Sequence, residues 1–151
     1  MFEKQAWMQR AGEYPENNQQ YFALLSRAVF SAGLGPQVVA SRWDDICAAF
    51  HGFDPAAVAQ MGEADVVRLL SDARVIRNRR KIEAVVANAK RFLDCVHKHS
   101  SFHQYLLHLG AGDDLGAAAS KLSESFVHLG QTSALFFLFS AGWRQRETVA
   151  A

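Results

Sequence analysis

Only three prolines and ten glycines interrupt the 151 residues, so little in the chain breaks a helix. Long apolar runs are missing as well. The longest uncharged one, Ala134-Leu135-Phe136-Phe137-Leu138-Phe139, falls far short of the roughly 20 residues that a membrane-spanning helix needs. It reads as a core helix buried on all sides, and no membrane partner is expected. Cysteine is scarce: Cys47 and Cys95 stand far apart on apolar helix faces, which points to reduced thiols rather than a disulfide framework. Met1-Phe2-Glu3-Lys4 lacks the basic segment and following apolar stretch of a secretory signal, so a cytoplasmic protein is expected. No Gly-rich phosphate loop, repeat or low-complexity segment is present, and no cofactor is expected.

What is there is a folding composition, 50% hydrophobic and 21% charged, at a length that suits a single domain over 1–151. The net charge of +1 hides an uneven distribution. Between Arg68 and Arg91 lie eight of the 16 Lys and Arg, against only Asp72 and Glu83, so this segment is net +6 and the rest net −5. Such a concentrated basic face is the footprint of a protein that grips a polyanion.

Periodicity predicts seven or eight helices and no strand. Asn17 or Asn18 caps a helix from about Gln19 to Ala32, and Gly33-Leu34-Gly35-Pro36 ends it and starts the next. Asp54-Pro55 is a strong start signal, a capping carboxylate before Pro at the first helical position. A short helix runs to about Gln60 and another from about Glu63 to Asp72. Ile82, Val85, Val86, Ala89, Phe92, Leu93 and Val96 then mark the clearest amphipathic helix, from about Arg79 to His97. Further helices follow Ser100-Ser101, precede Ser125 and run from about Gln131 to Ala141, before a charged tail from Arg144. The expected fold class is all-α, with a helix–hairpin–helix motif over about 63–97. Two histidines, His99 and His103, stand at helical spacing without a third ligand.

Specific words then become recognisable. Phe53-Asp54-Pro55, Val58-Ala59, Glu63-Ala64-Asp65-Val66, Arg68-Leu69-Leu70, the hairpin Asp72-Ala73-Arg74-Val75-Ile76-Arg77-Asn78-Arg79-Arg80-Lys81-Ile82, and Val86-Ala87-Asn88-Ala89 resemble the 3-methyladenine DNA glycosylase I family. Ser31-Ala32-Gly33-Leu34 resembles that family's base-pocket loop, and Leu129-Gly130-Gln131-Thr132 the opening of its penultimate helix. The resemblance covers about residues 20–142. It implies a protein of base excision repair that binds duplex DNA with a damaged base and hydrolyses the N-glycosidic bond of an extruded alkylated base such as 3-methyladenine. The hairpin would bind phosphates through backbone amides and through Arg74, Arg77, Arg79, Arg80 and Lys81. Leu34, beside Gly33, would wedge into the gap left by the base.

The departures from the family pattern fall on the pocket. The family's base-binding glutamate corresponds to Ala28, and its stacking aromatic to Pro36. Trp7, Tyr14 and Tyr21 are the candidates for replacement pocket aromatics, and Glu13, Glu16 or Asp44 for a replacement carboxylate. The family's zinc site joins Cys and His near the two termini. This chain has neither near Met1 nor beyond Arg144, so no metal is expected. Three readings stay open: a divergent monomeric glycosylase, a DNA-binding relative without excision, and an all-α interaction module with a basic face.

Overall fold

The computed structural model describes residues 2–146; of the tail expected from Arg144, residues 147–151 lie outside them. Helices are α1 (Asn18–Leu34), α2 (Pro36–Ala49), a 3-10 turn (His51–Phe53), α3 (Pro55–Ala59), α4 (Glu63–Leu70), α5 (Arg79–His99), α6 (Phe102–His108), α7 (Leu115–Ser125) and α8 (Gln131–Ser140). No strand occurs among the described residues. The fold is all-α, as the periodicity predicts.

Local chemistry sets the boundaries. Asn17 caps α1 by accepting from the Gln20 amide at 2.9 Å, and Asp54 caps α3 by accepting from Ala56 at 3.0 Å, with Pro55 following. Replacing Asp54 by alanine strands that amide and is expected to cost about 1 kcal/mol. A thermal melt should then fall by roughly 2–4 °C, and an unchanged melt would show that water serves the helix end equally well.

Helix α1 is the central element: it packs against α2, α5, α6 and α8, with α3 on α5 and α7 on α8. Phe22, Phe30, Phe50, Phe53, Phe92, Phe102 and Phe137 are fully buried between these helices. Phe92 and Phe102 stack with centroids 4.2 Å apart, tying α5 to α6. Asn88, buried on α5, accepts from the Val127 amide at 2.7 Å and donates to the Val127 carbonyl at 3.0 Å. It fixes the loop between α7 and α8.

Three expectations need correction. The segment Ser31–Leu34 is the last turn of α1 rather than a loop; Gly35, at φ +86°, is the left-handed residue that ends the helix. Helix α8 is not buried all round, because Leu135, Phe136 and Phe139 are half-buried. His99 and His103 do not share a helix: one ends α5, and the other lies on α6.

His103 instead meets Tyr21, whose hydroxyl lies 2.7 Å from Nδ1, under Tyr14 and Trp143. Burial raises the Tyr21 pKa above its ordinary value, so the phenol keeps its proton in this hydrogen bond. Burial also holds His103 below its ordinary 6.5. The unfolded chain therefore binds the proton first. The contribution of His103 to stability is full above about pH 6.5 and is lost below it until the folded-state pKa is passed. His103→Gln should flatten that decline in melts recorded between about pH 5 and 7; an identical slope would assign it to other groups.

Candidate nucleic-acid interface and base pocket

The expected two-helix elbow is present as α4, the hairpin 71–78 and α5. Val75 and Ile76 are buried and anchor the hairpin in the core. Asp72 turns it, accepting from the Arg74 amide at 2.9 Å, while its carbonyl accepts from Val75 at 3.2 Å. Asn78 caps α5 by accepting from Lys81 at 3.1 Å. The backbone amides of Ile76, Arg77 and Asn78 bond no acceptor among the described residues. Free amides beside a helix N-terminus are donors that an anion can use.

The five basic residues singled out in sequence divide into three groups. Arg74 pairs with Asp72 at 3.0 Å, and Arg79 pairs with Glu63 at 2.9 Å and Glu83 at 3.1 Å. Arg74 holds the Asp72 carboxyl below its ordinary range, and Arg79 does the same to Glu63. Arg77 and Arg80 are exposed and have no ion-pair partner among the described residues. Lys81 turns inward. Its Nζ donates to the Val29 carbonyl at 2.8 Å, and burial lowers its pKa. A Cβ on Gly33 would lie 3.1 Å from Lys81 Cε, so glycine there admits the lysine stem.

That contact joins the elbow to a pocket at the end of α1. A cavity of about 130 Å³ is lined by Phe2, Ala28, Ser31, Pro36, Thr132 and Phe136, among others, a size comparable to the bulk of one purine. It adjoins a groove of about 600 Å³, with Phe2, Pro36 and Phe136 shared, that is also lined by Trp7 and Leu34. The N-terminal segment forms the outer wall. Its Gln9 and Gly12 amides donate at 2.9 Å to the Ser140 and Gly142 carbonyls, holding Trp7 over α1. Gly142, at φ +96°, permits this approach, since a Cβ would lie 2.7 Å from the Glu13 carbonyl oxygen.

Of the pocket residues expected from sequence, Ala28, Pro36, Leu34 and Trp7 line the cavity or the groove, whereas Gly33 faces Lys81. Tyr14 and Tyr21 lie elsewhere, around His103, and line neither space. Glu13, Glu16 and Asp44 are exposed and line neither space. Among the described residues, the one carboxylate on these walls is Glu3, at the groove.

Ser31, which the sequence places in the pocket segment without a role of its own, lines the cavity, and its Oγ is buried without a partner. Sequence reading missed Arg27, buried at 4% exposure. A signal for Arg27 existed, since its neighbours three and four positions away, Ala23, Leu24, Phe30 and Ser31, include no acid. The described residues contain no group of three His, Cys, Asp or Glu side chains arranged to hold a metal ion.

An all-helical frame with a nucleobase-sized cavity beside a cationic elbow defines a protein of the helical glycosylase class. The backbone matches that of 3-methyladenine DNA glycosylase I from Staphylococcus aureus with a TM-score of 0.78, at 27% identity over 90% of this chain and 82% of that one. The methyladenine glycosylase family model matches residues 4–136, and the chain belongs to that family. Among its relatives, a DNA-3-methyladenine glycosylase of Haemophilus influenzae is 28% identical over 83% of this chain and 78% of its own length. DNA-3-methyladenine glycosylase 1 of Escherichia coli is 39% identical over 77 residues, 51% of this chain but only 41% of that enzyme.

Proposed function

We propose that this chain is a monomeric, cytoplasmic DNA glycosylase of base excision repair. It binds duplex DNA through the elbow, receives an extruded alkylated base in the cavity beside Ala28, and hydrolyses the N-glycosidic bond. The observation that carries this reading is the Lys81–Val29 contact of 2.8 Å, which joins phosphate-facing hairpin and base-sized cavity in one rigid unit.

The chemistry follows from the parts. Arg77, Arg80 and the free hairpin amides hold the backbone beside the lesion. Leu34, half-buried at the groove, fills the stack when the nucleotide swings out. A damaged base is the easiest to extrude, because its pairing is already weakened. Water then adds at the sugar carbon and gives up a proton to the solvent, and the base departs with the glycosidic electron pair. A purine methylated at nitrogen 3 is cationic and becomes neutral on leaving, so it needs little help. With Ala28 in place of a carboxylate, 3-methyladenine release is slow.

The test is an excision assay on methylated duplex DNA with chromatographic identification of freed bases. Slow release of an alkylated base supports the reading. Salt-dependent DNA binding with no release over many hours would make the chain a DNA-binding relative without excision, the outcome that Ala28 favours as a second reading. Tight binding to an acidic protein and none to DNA would leave only the interaction module.

A further inference from the structure

Arg27 precedes the cavity-lining Ala28 on α1, and its environment is unusual for a charge. Its guanidinium carbon lies 3.6 Å from the Trp7 ring centroid and 4.8 Å from that of Trp43, sandwiched between two indoles. The side chain is 4% exposed, Nε is buried without an acceptor, and no carboxylate pairs with it among the described residues. Burial lowers its pKa only to about 10, so it stays charged at neutral pH. The half-buried Cys47 thiol nearby is itself pushed up to about 11, first by its own burial, and supplies no counter-charge.

Two physical consequences meet at the pocket. An uncompensated cation in a poorly solvated site repels a second cation brought close to it. Trp7, which lines the groove, already spends a π face on a guanidinium, and its ring is a poorer stacking partner for a positively charged base. Among the described residues the cavity wall holds no carboxylate; the groove's Glu3 is exposed to solvent, which screens its charge, and the buried Ser31 hydroxyl offers a neutral hydrogen bond.

We propose that Arg27 makes the pocket a charge filter: it selects neutral alkylated bases over cationic methylated purines. This rests on the glycosylase reading and specifies its substrate class. Arg27 acts through the field and through Trp7, as a specificity-determining residue.

The test compares two methylated guanines that differ in charge, 7-methylguanine, which is cationic, and O6-methylguanine, which is neutral. Each is placed in the same duplex on a 2′-fluorinated sugar that resists hydrolysis, beside an undamaged duplex, and binding to the full chain is read by fluorescence anisotropy. One unit charge about 10 Å away at an effective dielectric near 20 gives a roughly tenfold preference for the neutral lesion. Arg27→Met should bring that ratio close to unity, and Arg27→Lys should keep it. A folded Arg27→Met protein with the full ratio would reduce Arg27 to a clamp for Trp7. The wild-type ratio also decides by itself, whether or not the methionine variant folds: equal affinity for both lesions, above undamaged DNA, overturns the filter alone. No preference for either lesion over undamaged DNA overturns the glycosylase reading with it.

Discussion

Replacing Arg77 and Arg80 together by alanine should weaken duplex DNA binding by roughly tenfold or more at physiological salt. The same change should lower the slope of log affinity against log salt by about 1.8, the loss of two phosphate contacts at about 0.9 each. These two arginines are singled out by their lack of partners. Arg74 and Arg79 are engaged with Asp72, Glu63 and Glu83, so a phosphate would have to compete with carboxylates already in place. Lys81 is bonded to the Val29 carbonyl, and its removal should disturb the pocket rather than the salt slope. Both Arg77 and Arg80 are exposed, so the double variant should melt like the parent protein. Binding isotherms at several salt concentrations check this. A slope equal to that of wild type would take the hairpin out of the interface.

The frame of this molecule was readable in its sequence because local chemistry and packing agree there. Asp54-Pro55 starts a helix in any context, and the amphipathic stripe from Ile82 to Val96 can be satisfied only by a helix lying on a core. The pocket was harder to read, for a physical reason. Its walls come from the N-terminal segment, the end of α1, the start of α2 and the start of α8, and no periodicity within one element reports their meeting. Phe136 looks like any core phenylalanine until Phe2 and Pro36 are seen to leave space beside it. Lys81 reads as one more cation of a basic run, and its inward turn depends on Gly33, which is 48 positions earlier in the chain and offers no side chain. The exposed acids Glu13, Glu16 and Asp44 line neither the cavity nor the groove, for the same reason. Residue type nominated them, but nothing in the sequence placed them on a wall.

Ala28→Glu should raise the rate of 3-methyladenine release by roughly 10–100-fold, which corresponds to one charge-assisted hydrogen bond of about 1.5–3 kcal/mol. Ala28 is 1% exposed and lines the small cavity together with Ser31 and Phe136. A carboxylate there would accept from the extruded base and favour its positive charge. Its charge would also offset part of the field of buried Arg27, although neighbouring positions on a helix do not face each other, so the gain for a cationic base has two sources. Burial works against the substitution by raising the new carboxyl's pKa. The gained activity should therefore be full above that pKa and fade as pH falls through it, a dependence the parent lacks at this position. Ala28→Gln separates shape from charge: it fills the same space, and most of the gain should be missing. Single-turnover release of the base, measured across pH for all three proteins, is the decisive experiment. A folded Ala28→Glu protein that releases 3-methyladenine no faster than its parent would mean that the extruded base binds somewhere other than beside residue 28.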